Sequence, residues 1–429
     1  MSSILDTGFG LIGQTLLDFS FYYPLFMAYL WMIGAINYYL RFERRYLGQV
    51  EPPPLPEYPG VSLVVPMHNE GDNARETINQ LLRQKYPEFE IIAVNDGSRD
   101  NTGAILDQLA EEHPQLRVIH LAENQGKAVG LDMAALMSSH QYLMCIDGDA
   151  LLDEHAVAWC MQHFVYGPRV GAVTGNPRIR NRSSLLGKIQ VGEFSSIIGL
   201  IKRAQRTYGR IFTVSGVVCA FRKAALHDIG YWSPEMLTED IDVSWKLQIS
   251  HWDIRYEPKA LCWILMPETL AGLWKQRLRW AMGGVQVLLK YLPALLHWRK
   301  RRMWLIYLEF LISVLWAYAM GLVFFLWALG LVFDLPPSLQ VPTILPGWNG
   351  VVIGSTCLLQ IGLSLLLDAH YEKSHGQKVA RVYYWMIWYP LAYWLLNMLT
   401  TIWAVPRTLM RKRHARAIWV SPDRGVKPS

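Results

Sequence analysis

The run Leu143-Met-Cys-Ile-Asp-Gly-Asp149 ends an apolar stretch in two carboxylates separated by one glycine. A short apolar run suits a buried strand. Its acids then lie at the strand's carboxyl end, where open α/β sheets bind their ligands. Carboxylates this close repel one another unless a cation sits among them. A hard divalent ion shared with substrate phosphates meets that need. An acidic turn after a strand is the alternative, because Asp-x-Asp is short and common. A second acidic pair, Glu239-Asp240, follows Thr238. Glu239 next to it can raise the pKa of Asp240 toward that of a base for a sugar hydroxyl. The same pair in the first turn of a helix would simply favour its dipole. A third group is Gln276-Arg-Leu-Arg-Trp280. Arg279 offers a forked cation to a departing diphosphate, and Trp280 a flat face to a sugar. Taken alone, that segment reads as a membrane anchor.

Other candidates end neighbouring strands. Asp96, in Val94-Asn-Asp-Gly-Ser-Arg-Asp100, can accept a hydrogen bond from a base or ribose, or form an Asx turn. Asn69 and Glu70 would face the same crevice. Lys127, in Asn124-Gln-Gly-Lys127, is placed for phosphate or uracil but lacks the full phosphate-loop spacing. His68 reads as a loop histidine, since no second histidine follows at helical spacing.

These residues need a scaffold. Strands are expected at Val61–Pro66, Phe89–Val94, Leu116–Leu121, Tyr142–Ile146, Val170–Thr174 and Ile211–Phe221, the last broken by Ser215-Gly216. Helices are expected at Ala74–Gln84, at Asp100–Glu112 with Asp100 as cap, at Gly126–Ser138, and from Thr238 as cap through Ile249. Alternating strands and helices imply a largely parallel sheet with a crevice along its carboxyl edge. The 429 residues are 52% hydrophobic, and the excess gathers at the two ends. Tyr22–Leu40, Trp304–Phe333, Leu345–Leu367 and Tyr383–Val405 are candidate spans. Residues 4–17 suit a weak span or an interfacial helix. Leu270–Tyr291 has the composition of a helix lying in the interface. Basic clusters at Arg41–Arg45, Arg299–Arg302 and Arg407–Arg416 border apolar runs. They read as juxtamembrane charge rather than a nucleic-acid patch. Three C-terminal spans would place the basic tail outside, against the positive-inside rule. Either Tyr383–Val405 fails to cross or the tail is an exception. Five cysteines without Cys-x-x-Cys spacing are expected as free thiols.

Asp96, Asp147-Gly-Asp149, Thr238-Glu-Asp240 and Gln276-x-x-Arg279-Trp280 form a four-part signature. It resembles the processive glycosyltransferases of family two, which include cellulose, hyaluronan and chitin synthases. Four further stretches, Val173–Arg180, Gly187–Glu193, Tyr256–Thr269 and Trp419–Gly425, are similar to the family's bacterial poly-β-1,6-N-acetyl-D-glucosamine synthases. The resemblance implies an α/β GT-A type nucleotide-sugar-binding domain, with a mixed, largely parallel sheet, flanked by transmembrane helices. Its expected divisions are a membrane segment at 1–50, the cytoplasmic GT-A domain at 51–269, an interfacial region at 270–302, transmembrane helices at 303–406 and a basic tail at 407–429. It implies Asp240 as general base, and Asp149 as ligand to Mg²⁺ or Mn²⁺. Asp96 and Asp147 would contact UDP, with Asn69, Glu70, Lys127 and Glu239 beside the nucleotide sugar. Gln276, Arg279 and Trp280 would line the diphosphate and acceptor. The implied activity is inverting, processive polymerisation of N-acetylglucosamine from UDP-N-acetylglucosamine at the bacterial inner membrane. The implied partner is a small two-span membrane protein under cyclic di-GMP control. A sister synthase, or a transporter that binds nucleotide without catalysis, are the alternatives.

Overall fold

A computed structural model describes residues 11–344, 347–373, 379–386, 389–412 and 415–419. Its centre is an eight-stranded sheet. The strands are β1 (Val61–Met67), β2 (Phe89–Asp96), β3 (Leu116–Leu121), β4 (Tyr142–Ile146), β5 (Leu151–Leu152), β6 (Val170–Ile179), β7 (Val218–Arg222) and β8 (Asp253–Ile264). Their spatial order is β3-β2-β1-β4-β7-β6-β8-β5. The first four are parallel, β7 runs against β4 and β6, and β6 and β8 are parallel. The sheet is therefore mixed. Chain order turns back between β1 and β4, which opens a crevice at their carboxyl ends. Val61–Met67 is buried throughout, as a strand covered on both faces requires. Helices α2 (Ala74–Leu81), α3 (Thr102–Glu112), α4 (Lys127–Met137), α5 (Ala156–Val165), α6 (Leu185–Phe194), α7 (Ile201–Tyr208), α8 (Lys223–Asp228) and α9 (Glu239–Ile249) surround it. A π-helical stretch, Ser195–Leu200, joins α6 to α7.

Three expectations change here. The strand expected at Ile211–Phe221 is only Val218–Arg222. The amides of Ile211, Phe212, Val214 and Ser215 are taken by side-chain oxygens of Gln248, Gln205, Ser244 and Thr174. With those donors satisfied, the segment needs no strand partner. Asp100 precedes α3 by two residues, but its Oδ1 accepts from the Thr102 amide, so it serves the helix start from outside. Thr238 stands at the cap of α9 without capping it.

The apolar ends form helices α1 (Leu11–Tyr38), α10 (Leu270–Leu295), α11 (Trp304–Gly330), α12 (Gly347–Glu372) and α13 (Tyr389–Met410). The weak segment at 4–17 and Tyr22–Leu40 merge into α1, which continues through Pro24; residues 4–10 lie outside the described residues. Among the described residues, three stretches are long and apolar enough to cross a membrane, those holding α1, α11 and α12. The chain is a multi-pass membrane protein. Helix α13, in the stretch expected as a further span, packs against both α10 and the membrane helix α11, where Tyr318 donates to the Ile402 carbonyl at 3.3 Å. Its first residue, Tyr389, belongs to the same buried apolar cluster as Val191 and Phe194 of α6. Just past its other end, Arg411 donates to the Glu235 carbonyl at 2.7 Å. Both ends therefore meet the sheet side of the molecule. The described part of the basic tail lies on that side.

Candidate active site

Strand β1 ends in the loop His68–Glu70, and β2 ends at Asp96. His68 ties the two together. Its Nδ1 donates to the Asp96 carbonyl at 2.6 Å, and its Nε2 accepts from the amides of Asn69 and Asn124 at 3.1 Å. This network sets the tautomer and makes His68 a structural loop residue, as expected. Asn69 adopts a left-handed φ of 54°, a conformation asparagine tolerates. Its Oδ1 accepts from the Arg99 amide and its own amide donates to Ser98 Oγ. Glu70 is buried, with its amide on Thr102 Oγ1 and its Oε2 accepting from Asn73. The Asp96 carboxylate is fully buried and accepts from the amides of Gln125 and Gly126 at 2.7 and 2.9 Å. It holds the loop before α4, a positioning task that its place after a strand did not disclose.

That loop delivers Lys127 into the acids. Lys127 Nζ lies 2.5 Å from Asp147 Oδ1, 3.1 Å from Glu239 Oε1 and 3.0 Å from the Gly216 carbonyl. Reading Lys127 as a contact for the nucleotide thus missed its main partners. The cation that repulsion between the acids calls for is supplied by the chain itself. Burial works against a charged Lys127, but Asp147 and Glu239 outweigh it and hold its pKa above the ordinary lysine value. Glu239 is pushed up by burial, yet Lys127 and Arg279 bring it below the usual carboxylate range. Asp240 goes the other way. Burial, then the charge on Glu239, raise it to about 6 against the pull of Lys127 and Arg279. Two adjacent acids are thereby split into an ionised partner and a group poised to exchange a proton.

Asp149 is buried beside Gly148, whose position allows no side chain: a Cβ there would meet Met67 and Glu70 at 2.9 and 3.1 Å. Among the described residues, no three His, Cys, Asp or Glu side chains form a closed metal cage. Asp147 and Asp149 supply hard oxygens on one side only. Such a donor set fits a divalent ion whose shell is completed by phosphate oxygens.

Helix α10 reaches the same place. A Cβ on Gly283 would lie 1.9 Å from Thr238 Oγ1, so only glycine allows this approach. Arg279 donates to the Leu237 carbonyl at 3.2 Å and acts electrostatically on Glu239 and Asp240. Trp280 sits beside Phe194, with the Arg277 guanidinium 4.2 Å over its ring. Gln276 accepts from Arg277 and donates to the Met266 sulfur. One element was missed altogether. Ala415–Trp419 lies across the Asn124–Gly126 loop. Ala417 donates to the Pro234 carbonyl at 2.8 Å, Asn124 Nδ2 donates to the Trp419 carbonyl at 2.8 Å, and Arg416 donates to Gln125 Oε1. Of the similar stretch Trp419–Gly425, only Trp419 is among the described residues.

This geometry meets an independent likeness. The family described as glycosyltransferase like family 2 matches residues 59–283. A poly-β-1,6-N-acetyl-D-glucosamine synthase from Staphylococcus epidermidis is 39% identical over 413 residues, covering 95% of this chain and 98% of that protein. The chain belongs to glycosyltransferase family 2. A second family 2 relative, the poly-β-1,6-N-acetyl-D-glucosamine synthase of Staphylococcus aureus strain MSSA476, is 39% identical over 409 residues, with 95% and 98% covered. The fold has its own counterpart. The mannosyltransferase PcManGT from Pyrobaculum calidifontis, solved with GDP-Man and Mn²⁺, superposes with a TM-score of 0.60 at 20% identity, covering 91% of this chain and 98% of that one. The family 2 chain therefore has the GT-A type fold expected of it, flanked by membrane-length helices.

Proposed function

We propose that this chain is a processive, inverting β-glycosyltransferase that polymerises N-acetylglucosamine from UDP-N-acetylglucosamine into a β-1,6-linked polymer. The observation that carries the reading is 39% identity to the Staphylococcus synthases over 95% of the chain. The acids at the sheet's carboxyl edge support it. In this reading Asp240 takes the proton from the acceptor's 6-hydroxyl. The acceptor O6 attacks the anomeric carbon from the face opposite UDP, the bond from that carbon to the diphosphate oxygen breaks, and UDP leaves. A single displacement converts an α-donor into a β-linkage. A pKa near 6 suits Asp240 to a base that works at neutral pH. Lys127 pairs with Asp147 and keeps Glu239 ionised. Asp149, with Asp147, would hold Mg²⁺ or Mn²⁺, which when bound offsets charge on the diphosphate. Asn69, Glu70 and Asp96 shape the nucleotide's side of the crevice. Gln276, Arg279 and Trp280 serve the diphosphate and the acceptor sugar.

The same proposal places the sheet on the cytoplasmic side, because the ends of α1 and α12, the segment before α11 and the tail all carry basic residues there. Coupling to export, and to a small two-span partner under cyclic di-GMP control, belongs to it by likeness alone. Purified protein incubated with UDP-N-acetylglucosamine and Mg²⁺ is expected to release UDP and form polymer that a β-1,6-hexosaminidase degrades. Polymer made from another UDP-sugar, or resistant to that enzyme, would replace this reading with a sister synthase. No UDP release with any donor would exclude catalysis.

A further inference from the structure

Far from the acids, a cavity of about 290 Å³ opens where the membrane helices meet the sheet. It is bounded by the end of α1 through Tyr38, Phe42 and Arg45, by α12 through Tyr371, and by α5 and β8. Its size approaches the lower bound, roughly 300 Å³, of small-molecule sites. Its charge is unbalanced. Arg206 and Arg255 line it and share one carboxylate, Asp253. Arg45 and Lys259 also line it, and among the described residues neither forms an ion pair with a carboxylate. Lys259 donates to the carbonyls of Tyr46 and Gln49. The two lining acids are already engaged: Glu43 by Arg203 and Tyr371, Glu257 by His163 and Gln162.

Four cations stand around one opening against Glu43, Glu257 and Asp253, and Glu43 is already matched by Arg203, so the excess of positive charge favours an anion. Arg206 spends its fork on both oxygens of Asp253, whereas Arg255 meets Asp253 through Nε alone and leaves its two terminal nitrogens for phosphate oxygens. The place in the fold narrows the source. Exposed Leu40 and Phe42 stand at the α1 end, within the cluster of basic residues that follows the span. Basic pockets at the inner ends of membrane helices take anionic lipid headgroups. We infer that this cavity binds a phosphate-bearing anion, the headgroup of an anionic phospholipid, between α1, α12 and the sheet. Such a ligand would join the membrane helices to the α/β layer at a point separate from the chemistry. The inference does not depend on which sugar is transferred.

The test uses the full chain in neutral detergent. Native mass spectrometry records adducts after mixing with phosphatidylglycerol, with phosphatidylcholine, or with inorganic phosphate alone. Wild type is expected to retain phosphatidylglycerol over phosphatidylcholine. Loss of two cations in Arg45→Gln/Arg255→Gln is expected to lower that retention on the order of ten- to thirtyfold. The exposed pair Arg83→Gln/Lys85→Gln, on the α/β layer away from the membrane helices, should leave it unchanged. Arg255→Lys keeps the charge and should keep most of the binding, which separates loss of ligand from loss of fold. Saturable inorganic phosphate adducts, lost in the first double variant, would support the anion site but assign it to a free phosphate. Equal retention of both lipids, or equal losses in the two double variants, would overturn the inference.

Discussion

Replacing Lys127 by methionine tests the electrostatic argument most directly. The ammonium lies 2.5 Å from Asp147 and 3.1 Å from Glu239, in a site where the three side chains are 17%, 21% and 10% exposed. At 3.1 Å and an effective dielectric of about 20, one such pair is worth about 5 kcal/mol before desolvation. Removing one member of a buried pair costs about 3–5 kcal/mol, because the other charge is left unmatched. Here the acids have an escape: they take up protons. Loss of a cation at this range raises a neighbouring carboxyl's pKa by about one to three pH units, or about 1.4–4 kcal/mol. Asp240, already near 6 because of burial and Glu239, loses an opposing charge as well. A base must be ionised to act. Activity of the wild type is therefore expected to fall as pH drops through about 6. In Lys127→Met the acid limb should move up by about one to three pH units, with activity recovering in alkali. The assay is UDP release against pH, at saturating and at limiting donor, with thermal melting to confirm a folded protein. If Lys127 instead serves the donor phosphates, the variant will show a raised KM with the acid limb unmoved. That result would refute the reasoning.

Three other outcomes follow from the same geometry. Asp240→Asn is expected to bind UDP normally and make no polymer, with kcat down by about 10²–10⁴; synthesis near wild type would remove Asp240 as base. Asp149→Ala is expected to lose the divalent-dependent part of donor binding, measured by calorimetry with and without Mg²⁺, whereas equal affinities in both conditions count against its role. Gly283→Ala puts a methyl 1.9 Å from Thr238 Oγ1. It should displace α10 from the Leu237–Asp240 turn, cost about 1–3 kcal/mol in a melting assay, and reduce UDP release; an unchanged melting point and rate would show that α10 can slide.

What the residues disclosed in advance follows from how local each cause was. β1 to β4 were legible because each is an apolar run closed by polar or turn residues, and the burial of Val61–Met67 matches that pattern. The four parts of the signature were also legible, and Lys127, Arg279 and Gly283 draw three of them together. The stretch 211–215 was not, because its apolar composition reads as strand while Gln205, Ser244 and Gln248 satisfy its amides from other elements. Lys127 was underread for the same reason. A lone Gly-Lys says nothing of two carboxylates 20 and 112 residues on. Helix α13 has the apolar content of a span, and its contacts with α10, α11 and the Glu235 carbonyl come from segments far away in the sequence. Trp419 meets Asn124 across 295 residues, beyond the reach of any local pattern.

Strand β6 shows how the membrane part and the chemistry share one support. Along its length Thr174, Asn176 and Arg178 follow at every second position. Thr174 Oγ1 takes the Ser215 amide at 2.8 Å and the Lys202 ammonium at 3.0 Å. Ser215 precedes Gly216, whose carbonyl holds Lys127. Four residues after Thr174, Arg178 pairs with Asp368 and Glu372 of α12 and donates to Ser195. Arg203, next to Lys202, binds Glu43 and the same Asp368. Breaking one member of a buried network of this kind costs about 3–5 kcal/mol, so the ends of α1 and α12 are held firmly against the sheet. One strand thus supports the wall beside the acids through Thr174 and anchors α12 through Arg178, while Arg203 of α7 ties Glu43, just past α1, to the same Asp368. A shift of α12 would have to pull on Arg178 and through β6 on the Thr174–Ser215 contact, so the membrane helices and the sheet act as one rigid frame for the site.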